Sequence, residues 1–127
     1  MKNRFEKGYS GGYAEELVVK YLLGMGYKII ERNYRCPVGE IDIVAAKGEY
    51  ICFVEVRSRS DSSYGEPYET VTYRKQRKVS KTAKYFISQN PDYYNKYSFR
   101  FDVASVVFVG NTDYSIEYLE GAFELIE

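Results

Sequence analysis

Two acidic residues stand inside apolar runs. Asp42 lies in Gly39-Glu40-Ile41-Asp42-Ile43-Val44-Ala45-Ala46, and Glu55 in Tyr50-Ile51-Cys52-Phe53-Val54-Glu55-Val56-Arg57. Charges are seldom carried into such runs without partners, because desolvating an ionised carboxylate is costly. Glu15 is a third candidate, placed one turn from Val18 and Val19 at the edge of an apolar helical stripe. Three carboxylates brought together make an oxygen-rich cluster that suits Mg²⁺ or Mn²⁺, hard cations that keep several waters and lean on one or two carboxylates. A divalent ion held in this way activates water and neutralises charge on a phosphodiester during transfer. Without a metal, close carboxylates repel and one of them stays protonated. Arg57, two residues beyond Glu55, projects from the same face and could bind a phosphate or pair with Glu40 or Glu55. The bland alternative is a solvated ion-pair patch on a sheet face.

Other chemistries drop out by composition. The chain has no histidine, which removes histidine triads, His-ligated zinc and histidine general bases together. Its two cysteines, Cys36 and Cys52, are too few for a disulfide framework or a zinc site and are expected as free thiols. Met1-Lys2-Asn3-Arg4 leads into no apolar signal region, and no stretch approaches the roughly 20 apolar residues of a membrane span. The expected location is therefore cytoplasmic, without a membrane partner.

The elements that must position the acids follow from periodicity. One domain is expected from 127 residues. A helix is predicted from about Ser10, its candidate N-cap, to Met25, with Ala14, Leu17, Val18, Tyr21, Leu22 and Met25 inward and a Glu16–Lys20 pair outward. Strands are predicted over Tyr27–Tyr34, Glu40–Ala46 and Tyr50–Arg57. In the second, Ile41, Ile43 and Ala45 share one face, and Asp42 and Val44 the other; in the third, Ile51, Phe53, Glu55 and Arg57 share a face. With Lys47-Gly48 as a two-residue loop, Asp42 opposes Phe53, and Glu55 becomes its diagonal neighbour on the same face. A one-residue slip would separate the acids to opposite faces. Ser58–Thr70 reads as a polar loop. A basic helix follows over Thr72–Gln89, with Val79, Ala83, Phe86 and Ile87 inward and Lys75 and Gln76 extending that stripe, until Asn90-Pro91-Asp92 stops it. Ser98–Val109 and Tyr114–Leu119 close the order α-β-β-β-α-β-β.

The formal net charge is zero, but it is unevenly spread. Between Arg57 and Lys84 stand Arg57, Arg59, Arg74, Lys75, Arg77, Lys78, Lys81 and Lys84 against only Asp61, Glu66 and Glu69. After Arg100 there is no basic residue, while Asp113, Glu117, Glu120, Glu124 and Glu127 accumulate. A basic surface can thus lie beside an acidic one within a neutral sum.

Several blocks resemble the YraN family of small bacterial proteins: Gly12-Tyr13-Ala14-Glu15, Arg32-Asn33-Tyr34-Arg35, Gly39-Glu40-Ile41-Asp42, Phe53-Val54-Glu55-Val56-Arg57-Ser58-Arg59, Lys75-Gln76 and Arg100-Phe101-Asp102-Val103. They match in order and spacing over nearly the whole chain. That family is described as nuclease-like, with a fold similar to that of the PD-(D/E)XK superfamily of restriction endonucleases and archaeal Holliday-junction resolvases. The resemblance implies a single restriction-endonuclease-like domain over 1–127, a mixed central sheet flanked by helices. It implies Asp42 and Glu55 as the two acidic metal-ligand positions, Glu15 as the helical acid of the resolvase-like branch, and Gln76 as the polar residue of the following helix. Arg57 departs from the pattern by occupying the lysine position. Arginine keeps the charge but not the compact ammonium, so it could stabilise a pentacovalent phosphate without orienting the attacking water. Lys75 is the nearest replacement, and Lys78 a weaker one.

Three functions are compatible with these residues. The first is an endonuclease dependent on Mg²⁺ or Mn²⁺ that acts on DNA, on branched or repair intermediates, with Arg57, Arg59, Arg74, Lys75 and Lys78 contacting nucleic acid. The second is a non-catalytic nucleic-acid-binding domain that retains the nuclease fold. The third is a protein-interaction domain using the acidic C-terminal segment and its tyrosines. A homodimer would suit cutting of two strands.

Overall fold

A computed structural model describes residues 9–60 and 71–127. Its elements are α1 (Tyr9–Gly24), β1 (Lys28–Cys36), β2 (Gly39–Lys47), β3 (Tyr50–Arg59), α2 (Tyr73–Gln89), α3 (Pro91–Lys96), β4 (Ser98–Val109) and β5 (Asp113–Phe123). The expected mixed α/β order is present, with one addition. Pro91 stops α2 as anticipated, but it then opens the six-residue helix α3, because a proline suits a first helical turn whose amide would lack a partner. Of the polar segment expected over 58–70, Ser58 and Arg59 continue β3, and 61–70 lie outside the described residues. Helix α1 already contains Tyr9, so Ser10 lies inside the helix rather than at its start. Met25 falls beyond the helix end and is exposed.

The five strands lie in chain order, β1 to β5. All neighbours are antiparallel except β3 and β4, which run parallel because the chain crosses between them through α2 and α3. The sheet is covered on both faces. Ala14, Leu17, Val18 and Leu22 of α1 pack on Ile43, Ala45, Cys52 and Val54. Val79, Ala83 and Phe86 of α2 pack on Ile41, Val44, Ile51 and Phe53. Strand β4, buried from Phe101 through Phe108, has the near-continuous apolar run that two covered faces require. Cys36 and Cys52 are free thiols; burial pushes Cys52 up to about 12, which leaves it an inert core residue. Among the described residues no helix is long and apolar enough to cross a membrane.

The β2–β3 register differs from the expected one by two residues. Lys47 pairs with Tyr50 and Ile43 with Val54, so Gly48-Glu49 is the loop. Gly48 takes φ +58, the left-handed conformation that tight hairpin turns demand and glycine accepts most readily. A shift of two preserves every side chain's face. The pairing ends at Ile43–Val54, one residue short of Asp42 on one strand and of Glu55 on the other.

A second difference lies in β2 itself. Ile41 does not share a face with Ile43 and Ala45: it belongs to the cluster under α2, while they lie under α1. The alternation breaks at Asp42 and at Asn33, which lies between the pairs Tyr34–Ile41 and Arg32–Ile43. Asn33 has φ +52, a left-handed conformation that asparagine tolerates better than most residues. The local reversal is what aims Asn33 toward α1 and leaves Asp42 at a junction between the two faces.

Gly39 opens β2 against α2. A Cβ there would lie 2.5 Å from Thr82 Oγ1, at a backbone φ of +155. Gly39→Ala is therefore expected to push α2 off the sheet and cost roughly 1–3 kcal/mol, the usual penalty of overpacking. Urea unfolding would measure it. A change within a few tenths of a kcal/mol would mean that the contact is loose.

Candidate functional site

The acidic pair occupies the end of the β2–β3 ladder. Paired positions stop at Ile43 and Val54, and the amide of Val56, just beyond, donates to Asp42 Oδ2 at 2.8 Å. The carboxylate thus takes a place where a strand carbonyl would otherwise serve. Burial raises the Asp42 pKa above the usual carboxylate value; the Val56 amide and Lys75 oppose that rise, and Glu40 adds to it.

Glu55 is buried, with 3% of its surface exposed. Its Oε1 lies 3.1 Å from Lys75 Nζ, while Oε2 is buried without a hydrogen-bond partner. Burial, then the Asp42 charge, pushes Glu55 up to about 7, with Lys75 and Arg57 holding it down. An orphaned buried carboxylate oxygen is rare in a folded protein and asks for a ligand or a proton.

Glu15 reaches the same neighbourhood from the other face. Asn33 Nδ2 donates to its Oε1 at 2.8 Å, and Arg32 lies 3.6 Å from the same oxygen. Burial and then Asp42 raise the Glu15 pKa, so Asp42 is felt by both Glu15 and Glu55. Yet among the described residues no three Asp, Glu or Cys side chains form a group able to hold a metal ion. The three expected acids therefore do not form one such cluster, although the charge of Asp42 reaches both of the others.

Other expected residues take varied positions. Gln76 Nε2 donates to the Val71 carbonyl at 3.1 Å, fastening the start of α2. Arg57 is half-buried, and its charge lowers the pKa of both Asp42 and Glu55. The ion pair of Glu40 is with Arg35 at 3.3 Å, and that of Glu55 is with Lys75. Glu16 pairs with Arg32 at 2.7 Å, across to β1 rather than along its own helix. Arg59 meets Glu117 at 3.2 Å with its side chain only 12% exposed. Arg74, Arg77, Lys78 and Lys81 are exposed on α2. The acidic C-terminal stretch is partly spent on internal cations: besides Arg59–Glu117, Glu120 lies 3.6 Å from Arg100 and Glu127 3.9 Å from Lys84.

Sequence reasoning missed two positioning groups, Asn33 and the Val56 amide. The left-handed tendency of asparagine was the available signal for the first. A backbone donor leaves no sequence signal at all.

The raised Glu55 pKa has a stability consequence. The folded carboxyl keeps its proton from its ordinary 4.5 up to about 7, while the unfolded chain has already lost it. Stability should therefore fall as pH rises through that window, by on the order of 3 kcal/mol, and level off above it. Glu55→Gln should flatten the curve. Urea titrations from pH 4.5 to 8 would test this, and equal slopes in both proteins would refute it.

Fold and site together define a mixed α/β protein in which the β2–β3 ladder ends beside a buried glutamate and a half-buried aspartate attended by cations. The chain belongs to the UPF0102 (YraN) family: the family described as Uncharacterised protein family UPF0102 matches residues 14–106, a span that includes Glu15, Asp42, Glu55, Lys75 and Asp102. It is 42% identical over 116 residues to a UPF0102 protein of Clostridium botulinum (strain Hall), covering 91% of this chain and 94% of that one. It is 44% identical over 117 residues to a UPF0102 protein of Clostridium acetobutylicum, with the same coverage of both chains.

Proposed function

We propose that the fold is restriction-endonuclease-like and that the protein is a divalent-metal-dependent endonuclease acting on DNA, on branched or repair intermediates. The observation that carries this reading is the orphaned Glu55 Oε2, buried beside Asp42 with two cations in attendance. Two carboxylates completed by water make a donor set suited to Mg²⁺ or Mn²⁺, and Asp42 together with Glu55 Oε2 would hold the ion. When bound, it supplies charge neutralisation at the phosphate and an acidified water. The chain's own groups do the rest. Arg57 contacts the scissile phosphate with a planar, permanently charged fork. Arg74 and Lys78, on the exposed face of α2, follow the DNA backbone. Glu15, steadied by Asn33 and Arg32, biases Asp42 by its charge.

A second reading, a DNA-binding domain without cleavage, is favoured by arginine standing at position 57 in place of lysine. The protein-interaction reading draws less support, since Glu117, Glu120 and Glu127 face internal cations. The test is a cleavage screen over linear, nicked, flapped and four-way DNA with Mg²⁺ and with Mn²⁺. Cleavage abolished by Asp42→Asn supports the first reading. Salt-sensitive binding without cleavage supports the second.

A further inference from the structure

Lys75 stands where helix energetics alone would not put it. It belongs to the first turn of α2, which contains no acidic residue and also carries Arg74. That is the positive end of the helix, where cations are disfavoured. Its backbone is nevertheless fixed on both sides: Thr72 Oγ1 accepts from the Lys75 amide at 3.2 Å, and Gln76 ties the next position to Val71. From this anchored start the side chain reaches across to β3, where Nζ meets Glu55 Oε1 at 3.1 Å. The lysine side chain is 36% exposed and the glutamate 4%, so the ammonium lies between the buried carboxylate and solvent.

We infer that Lys75 is the working ammonium of this site: it is the resident counter-cation of Glu55, it competes with a divalent cation for that carboxylate, and once displaced it contacts the DNA phosphate. The inference rests on the ion-pair geometry for its first step and on the proposed metal-dependent endonuclease reading for the other two. It separates the roles of the two basic residues. Arg57 is a fixed charge on the sheet, while Lys75 is a compact donor on a flexible stem that can exchange one anion for another. An unpartnered Glu55 Oε2 beside a paired Oε1 is the arrangement such an exchange needs.

The test uses wild type, Lys75→Met and Lys75→Arg, with Mn²⁺ affinity measured by calorimetry and cleavage of four-way DNA at saturating Mn²⁺. Lys75→Met is expected to bind Mn²⁺ about tenfold more tightly, because a cation is removed from the ligand oxygen, and to cut about a hundredfold more slowly. Lys75→Arg should return the metal affinity to the wild-type value. Thermal unfolding should show all three folded, since the exchanged side chain is partly exposed. Unchanged Mn²⁺ affinity in Lys75→Met, or unchanged cleavage, overturns the inference while leaving the endonuclease reading intact. Mn²⁺ binding by Lys75→Met alone would support the competition and overturn the nuclease reading. Absence of Mn²⁺ binding in all three proteins overturns both.

Discussion

Replacing Asp102 with alanine is expected to cost the folded state about 3–5 kcal/mol, the usual penalty of breaking a buried ion pair from one side. Asp102 is wholly buried in β4, and four donors converge on its carboxylate. Arg100 gives Nε to Oδ1 at 2.8 Å and Nη2 to Oδ2 at 2.9 Å. The Tyr118 hydroxyl donates to Oδ2 at 2.6 Å, and the Gly121 amide to Oδ1 at 3.0 Å. Arg100 Nη2 also donates to the Tyr27 hydroxyl at 2.8 Å, so one carboxylate ties β4, β5 and the entry to β1. Alanine would leave a guanidinium and a hydroxyl without their acceptor in the interior. Thermal unfolding should drop by roughly 10–20 °C, with an unchanged denaturant slope. Removing Arg100 as well should cost less than the sum of the single changes, because the stranded charge disappears. A loss below about 1 kcal/mol in Asp102→Ala would mean that water or neighbouring groups replace the acceptor.

On the proposed endonuclease reading, Asp42→Asn is expected to reduce metal-dependent cleavage by about a thousandfold or more, since it would remove one of the two anionic ligands proposed for the ion. Asparagine is the informative change. Its carbonyl oxygen can still accept from the Val56 amide, so the ladder end keeps its 2.8 Å bond, whereas alanine would also leave that amide unmet. Relief of repulsion with Glu55 should leave thermal stability equal to wild type or slightly above it. Mn²⁺ calorimetry should show binding lost with the fold intact. Cleavage by Asp42→Asn at the wild-type rate would remove the pair from the mechanism. A wild-type protein that cuts none of the DNA forms would leave a binding domain, and its affinity should then fall steeply with salt.

How β5 ends shows where pattern reading stops. The sequence places the last strand over Tyr114–Leu119. The strand continues to Phe123, with a shift in register between Phe101 and Val103. Gly121 takes φ +60 and gives its amide to Asp102, so the carboxylate repairs the interruption. Nothing local to β5 announces that partner, which is nineteen positions away.

By itself the sequence determined the elements and the faces. Alternation over Ile51–Arg57 put Glu55 on the side of Phe53, and the helical stripe of Val79, Ala83 and Phe86 marked the face of α2 that covers it. Because strand side chains repeat every two residues, the two-residue error in hairpin register left Glu55 on the face assigned to it, toward α2, while the break in β2 put Asp42 at the junction of the two faces. Tertiary structure alone decided which charges meet. Lys75 reaches Glu55 because the β3–α2–β4 crossover returns the start of α2 over the end of β3. Arg59 turns to Glu117, and Glu16 to Arg32, because distant strands become neighbours. Ile41 changes sides because Asn33, on the adjoining strand, adopts a left-handed turn. Periodicity is local and survives in one dimension, but a partner across a sheet is set by where the chain comes back. The acidic pair could be read from the chain; the ammonium that guards it could be fixed only by the fold.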